Sequence, residues 1–264
     1  MLTKAVVVAF HNYCWTMNHR YFDMILDYFM KNFKEVWGEE VDMLYLIDST
    51  WGIDPEVDLG SKVHVIKVPE NLRYYDAYKQ VLPDVKEDAV LFMDNDMVVY
   101  RKGIVANTFK KLEEGYDVVS IYDTIGRTFP ELGGKSKFCP YWFATKTKTL
   151  MNYRYVEWGP NMPEHETLGA LTYAMLGDGL KPFEIEEDKT VNGKDLGYYH
   201  IRAGSVPAYL LTTKHFGDPK TYWEYINNQP TSETLRQCNW YDLMGGNTVE
   251  IRKDLLEKEN LSTN

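Results

Sequence analysis

The sequence predicts an α/β fold in which a mostly parallel sheet is flanked by helices, and three observations carry that reading. Apolar, β-branched runs of strand length alternate with segments of helical period through the first half of the chain. The first and fourth runs, KAVVVAF (Lys4–Phe10) and AVLFM (Ala89–Met93), lack the in–out alternation of a half-solvated strand, as strands covered on both faces do. Polar clusters stand at the carboxyl ends of three runs, which is where open α/β sheets bind ligands. With 264 residues and 44% hydrophobic content, the chain can bury a full core.

In chain order, Lys4–Phe10 is the first strand. A helix is expected near Arg20–Phe33, where Phe22, Ile25, Leu26, Phe29 and Phe33 recur on one face. Asp42–Ile47 and Lys62–Val68 are strands two and three. Leu72–Leu82 reads as a helix stopped by Pro83. Ala89–Met93 is strand four, Val105–Leu112 a helix and Tyr116–Tyr122 strand five. Strand–helix alternation of this kind makes a mostly parallel sheet.

From about residue 124 the pattern is less regular. Residues 124–163 are rich in Gly, Pro and aromatics, with GGKSKFCPYWFATK as a short strand or pair. A helix is expected near Glu166–Leu176, with Leu168, Leu171 and Met175 on one face and Gly177 and Gly179 closing it. Residues 188–220 read as a long loop, and a last helix runs near Val249–Glu259. The expectation is a single domain over 1–264, divided into a regular half, 1–123, and an irregular half, 124–264.

A net charge of −10 argues against nucleic acid as a partner, because phosphate backbones need a basic face. Cys14, Cys139 and Cys238 form no metal-binding spacing and no paired framework, which fits a reducing compartment. No run approaches the length of a membrane span, and MLTKAVVVAF is too short a run for a signal peptide. A cytoplasmic protein is expected.

The segment AVLFMDNDMVVY (89–100) is the most informative. Asp94 and Asp96 interrupt an apolar stretch at the end of strand four. Two carboxylates at such a turn can hold one hard cation, Mg²⁺ or Mn²⁺, together with substrate phosphates. The plainer alternative is a surface turn after a buried strand. Polar residues also close strand one (His11-Asn12) and strand two (Asp48-Ser49-Thr50), so three clusters converge on one sheet edge.

AVLFMDNDMVV resembles the Asp-x-Asp segment of nucleotide-sugar glycosyltransferases with the GT-A fold. The resemblance spans roughly residues 3–215, as an order of elements more than as identity. It implies a GT-A-like, Rossmann-like sheet whose first half binds the nucleotide and whose second half faces the acceptor. It implies that Phe10, His11 and Asn12 open the nucleotide site and that Asp48 in YLIDST contacts the base, although a turn cap would use the same residue. Arg73, Asp76 or Lys79 in NLRYYDAYK would approach the nucleotide. Asp94, Asn95 and Asp96 would hold the cation and diphosphate.

The block MPEHETLGALTYAMLGDGLKPFEI resembles the segment that carries the acidic base of inverting members. Glu166 is the best match, with Glu164 and His165 as rivals, and a helix-capping role is the alternative. A histidine completes the metal shell in the family: His200 in YYHIRAGS is preferred over His215 in KHFGDPKTYW, a stretch that resembles retaining members but is one residue short. Tyr141, Trp142 and Trp158 would border the sugar and acceptor.

The expected function is therefore metal-dependent transfer of a sugar from a nucleoside diphosphate, UDP foremost, to a hydroxyl on a carbohydrate acceptor, with inversion. The alternatives are retaining transfer and a sugar-phosphate nucleotidyltransferase. The latter class uses a glycine-rich loop after strand one, and FHNYCWTMNHR contains no glycine. A carbohydrate-binding module would not need the Asp-x-Asp.

Overall fold

The structure, a computed structural model, describes residues 1–10, 26–27, 29–49, 52–54, 57–69, 72, 74–95, 97–99, 101–122, 128–159, 168–185 and 198–200. Seven strands form the main sheet: β1 (Lys4–Phe10), β2 (Met43–Asp48), β3 (Val63–Lys67), β4 (Ala89–Asp94), β6 (Val118–Tyr122), β9 (Phe138–Lys146) and β10 (Pro182–Ile185). Two two-stranded ribbons stand beside it. One pairs β5 (Met97–Val99) with β11 (Tyr198–His200), and the other pairs β7 (Thr128–Phe129) with β8 (Lys135–Ser136). After β3 the described residues form helices α1 (Tyr74–Val81), α2 (Ile104–Glu113), α3 (Thr147–Met151) and α4 (Gly169–Gly177).

The main sheet runs β10-β6-β9-β4-β1-β2-β3. β1 pairs in parallel with β2 and β4, β2 with β3, and β6 with β10. Among the described strands of this sheet, β9 alone runs against its neighbours, β4 and β6. The α/β class with a mostly parallel sheet holds.

Both faces of the sheet are covered, which explains the uninterrupted apolar runs. Along β1, Val6, Val8 and Phe10 join one core cluster and Ala5, Val7 and Ala9 the other. The first cluster packs under α2 through Val105, Phe109 and Leu112, and under residues 26–37 through Leu26, Phe29, Phe33 and Trp37. The second packs under α1, α3 and α4 through Tyr75, Tyr78, Leu150, Leu171 and Met175.

Several expectations shift. Residues 29–32 are helical as predicted, but the helix ends in a π-helical turn, Phe33–Trp37. The stretch read as a short strand or pair contains the nine-residue β9, placed between β4 and β6 in the sheet. Antiparallel entry of a late strand leaves no strand–helix rhythm to read. α4 begins at Gly169, after Leu168 adopts a left-handed backbone (φ 60°), so Glu166 does not open it. Residues 20–25 of the first predicted helix, and the expected helix near Val249–Glu259, lie outside the described residues.

Candidate functional site

The carboxyl edge of the sheet is built around β1. Phe10 pairs with Asp48 on one side, and Ala9 pairs with Asp94 on the other. Two strand spacings set the two carboxylate-bearing backbones about 10 Å apart. Strand alternation sends them to opposite faces. Leu44 and Leu46 lie in the cluster under α2, so Asp48 shares that face. Val90 and Phe92 lie in the cluster under α1 and α4, so Asp94 shares the other.

The β2 end is closed. Asp48 has no solvent exposure, and its Oδ2 accepts the backbone N–H of Ile53 at 3.0 Å. Ser49 donates from both its amide and its hydroxyl to the carbonyl of Phe10, at 3.2 and 2.9 Å. The Asp48 carbonyl accepts the amide of Val68 at 3.2 Å. The capping alternative for Asp48 is thus realised in this arrangement. Phe10, expected at the nucleotide site, is a core residue, 1% exposed and edge-on to Phe29 at 6.0 Å. Its aromatic ring is what the core takes from the strand's last position.

The β4 end is open. Asp94 is half-buried, Asn95 forms a half-buried turn, and the chain then leaves the main sheet as β5. β5 pairs antiparallel with β11 in a register that sets Tyr198 against Val99 and His200 against Met97. Position 200 thereby stands opposite the residue that follows Asp96. The side chains of Asp96 and His200 lie outside the described residues, and among those that are described no three carboxylate, imidazole or thiol groups cluster as a metal site. The residue types here, two carboxylates in the segment and a histidine at a facing position of β11, fit Mg²⁺ or Mn²⁺ in chemistry.

On Asp94's face, α1 begins at the same edge. Asp76, in its first turn, is half-buried. Lys79 is placed deeper along the same helix. It lies five residues into the helix, about 7.5 Å lower, and its Nζ donates to the carbonyl of Val156 at 3.0 Å. That carbonyl ties α1 to the chain that follows α3, which is the contact Lys79 makes here. Arg73, His11 and Asn12 lie outside the described residues.

The segment carrying Glu164, His165 and Glu166 also lies outside the described residues, but both its anchors are described. Leu168 donates its amide to the carbonyl of Trp158 at 2.7 Å, which draws the two ends together. Gly159 sits against Tyr75 of α1 so closely that a Cβ there would come within 2.3 Å of the ring. The segment is therefore rooted beside the N-terminal turn of α1. His215 lies beyond the described residues.

The expected aromatic border of the sugar site is also corrected. Trp142 has no exposure, stacks on Tyr198 at 5.2 Å and donates from Nε1 to the Thr108 hydroxyl at 3.2 Å. Trp158 is 1% exposed, stands edge-on to Phe92 at 5.9 Å and donates to the carbonyl of Tyr153 at 3.2 Å. Both indoles are core residues on opposite faces of the sheet, with their N–H groups satisfied as buried indoles require. Tyr141 is half-buried.

Sequence reading missed Asn32. It is 1% exposed, its Nδ2 donates to the Val99 carbonyl at 2.8 Å, and its Oδ1 accepts the Val99 amide at 3.2 Å and Trp37 Nε1 at 3.0 Å. A signal was present: Asn32 lies three residues after Phe29 and seven after Ile25, on the apolar stripe itself.

No family model matches the sequence, and no curated protein matches it in sequence. Solved structures do share its fold. A 4-diphosphocytidyl-2C-methyl-D-erythritol synthase from Anaerococcus prevotii superposes with a TM-score of 0.51 at 10% identity, over 80% of this chain and 96% of that one. A nucleotidyl transferase from Methanothermobacter thermautotroptrophicus gives 0.49 at 15% identity, over 81% and 97%. A mannosyltransferase from Pyrobaculum calidifontis, in complex with GDP-Man and Mn²⁺, gives 0.47 at 12% identity, over 96% and 86%.

Proposed function

We propose that this chain is a cation-dependent glycosyltransferase, moving a sugar from a nucleoside diphosphate to an acceptor hydroxyl on a carbohydrate. The observation that carries the reading is the open end of β4. Asp94 stands half-buried at the ligand edge, and the chain passes through Asn95 and Asp96 into a ribbon whose partner strand ends at His200. Asp94, Asp96 and His200 would hold Mn²⁺ or Mg²⁺, with His215 the rival imidazole. The cation, when bound, would neutralise charge on the departing diphosphate. His11, Asn12 and Asp76 are the edge residues assigned to the nucleotide, and Asp48 would reach a base only if its capped turn opens.

Glu166, with Glu164 and His165 as rivals, is assigned the proton. As the acceptor oxygen bonds to the anomeric carbon, the bond from that carbon to the diphosphate oxygen breaks with its electron pair. The hydroxyl proton passes to the carboxylate. A base on the face opposite the leaving group makes the transfer inverting. The anomeric coupling constant of the first-formed product, read by proton NMR, tests this, and retained configuration removes Glu166 from the role.

A nucleotidyltransferase is the second reading, since the structural likenesses include such an enzyme. Against it stands the glycine-free segment after β1. A thermal-shift panel separates the two. Nucleoside-diphosphate sugars with Mn²⁺ should stabilise the chain by about 2.7 kcal/mol at a hundred times their dissociation constant. Stabilisation by nucleoside triphosphates in preference to diphosphates, or indifference to the cation, would overturn the proposal.

A further inference from the structure

Asn32 does more than satisfy itself in the core. Along a strand, the backbone groups of alternate residues point to opposite edges. Val99 gives both its amide and its carbonyl to Asn32, at 3.2 and 2.8 Å. Its neighbour Val98 is thereby turned toward Tyr199 of β11, its register partner. β5 has three residues and, among the described residues, only β11 pairs with it, so the amide of Asn32 takes the place of a second neighbour. Both lone pairs of Asn32 Oδ1 are in use, one for Val99 and one for Trp37 Nε1. The side chain is 1% exposed, so this geometry is held without competition from water.

The same segment of chain grips β5's continuation a second time. Glu40 accepts the amide of Gly103 at 2.5 Å and that of Ala106 at 2.8 Å. Gly103 precedes α2 with a left-handed backbone and offers no capping side chain of its own. Residues 29–40 thus hold the chain after the Asp94–Asp96 turn at two points.

We infer that Asn32 is a positioning residue for the cation site: it fixes β5, and through β5 both the exit of the Asp94–Asp96 turn and the register that brings position 200 to Met97. The inference rests on reading that turn as a cation site. Groups that orient metal ligands from behind change metal affinity by about 10–100-fold when removed.

The test is binding of Mn²⁺ alone, followed as loss of the free-ion EPR signal, with circular dichroism confirming that each variant is folded at the temperature used. Asn32→Leu should weaken Mn²⁺ binding about 10–100-fold. Trp37→Phe disturbs the same core and removes one bond to Asn32 but leaves both bonds to Val99. It should bind Mn²⁺ as the parent does, even at a lower melting temperature. If Asn32→Leu does not fold, Asn32→Asp, which keeps the shape of the side chain but replaces the bond donated to the Val99 carbonyl with an oxygen facing it, is read in its place. Parent-like affinity in the Asn32 variant, or an equal loss in Trp37→Phe, overturns the inference while leaving the site reading intact. Failure of the parent chain to bind Mn²⁺ overturns both.

Discussion

Asp48 and Asp94 end neighbouring strands on either side of β1, yet the protein treats them in opposite ways. Asp48 is sealed: unexposed, bonded to Ile53, and backed by a serine that doubles on the Phe10 carbonyl. Asp94 remains half-buried at a turn from which the chain departs into another ribbon. A carboxylate whose bonds are made inside the fold contributes stability, because removing it leaves a buried donor without an acceptor. Asp94 keeps part of its surface exposed at the sheet edge, where a ligand can meet it. The difference separates two residues that the sequence alone places in equivalent positions.

The sharpest way to test that contrast is at the open end. Asp94→Asn and Asp96→Ala should reduce cation-dependent turnover on the order of 10³-fold, since cation stabilisation of a leaving group is worth several kcal/mol. Urea unfolding should show each variant still folding cooperatively, so that the loss of turnover is not a loss of the fold. Undiminished turnover in EDTA, or in Asp96→Ala, would remove the site from this end of β4.

The closed end should behave inversely. Asp48→Ala leaves the Ile53 amide buried without its acceptor and should cost roughly 2–3 kcal/mol in denaturant unfolding. Asp48→Asn keeps a capping oxygen and should cost less than half as much. If Asp48 also reads a uracil or guanine N–H, the asparagine variant should alter base preference while retaining stability. Equal costs for the two variants would show that the cap is not what Asp48 supplies.

Gly159 tests the root of the segment that carries Glu166. Gly159→Ala drives a methyl into the Tyr75 ring, whose Cε2 lies 2.3 Å from the Cβ position. Overpacking of this kind costs about 1–3 kcal/mol. The double variant Gly159→Ala, Tyr75→Leu should recover much of that loss, and a strictly additive double variant would argue that the contact is not the cause.

How much of this was legible depended on whether the cause was local. β1 and β4 were readable because burial on both faces writes itself into consecutive apolar residues. The convergence of Asp48 and Asp94 on one edge followed from strand order alone. β5 and β11 were not readable, since three residues carry no period and their pairing joins positions about a hundred residues apart. β9 was legible only as a short strand or pair, because Pro140 and the aromatics within it blur the period, and its nine-residue length and its place between β4 and β6 were not readable. The tryptophans misled for a physical reason: an indole suits a sugar platform and a core equally, and only burial distinguishes them. Asn32 was legible in principle, as an amide on a phenylalanine stripe, but its partner Val99 lies 67 residues away.

The smallest effect is expected far from the site, where the closed pattern recurs in neutral form. Tyr45 donates to Glu87 Oε2 at 3.0 Å, and Tyr153 to Asp178 Oδ2 at 2.8 Å. Burial foremost, and then the hydrogen bond to the carboxylate, push each phenol up to about 12 from the ordinary value of 10.0. The sign follows from proton counting. Between pH 10 and 12 the unfolded chain has released these protons and the folded chain still holds them, so raising the pH favours unfolding. The stabilisation is complete below pH 10 and is lost as pH climbs toward 12. Tyr45→Phe removes one titrating group together with its hydrogen bond. At pH 9 it should therefore be less stable than the parent by about 1 kcal/mol. At pH 11 the gap should narrow, because the parent alone has lost stability to Tyr45. Urea midpoints at the two pH values measure both gaps, and Tyr153→Phe should repeat the result. An unchanged gap would mean that the Tyr45 phenol titrates no differently in the folded and unfolded chains. Nucleotide-sugar binding at pH 9 should be the same in both phenylalanine variants and the parent, since neither phenol stands at the end of β1, β2 or β4.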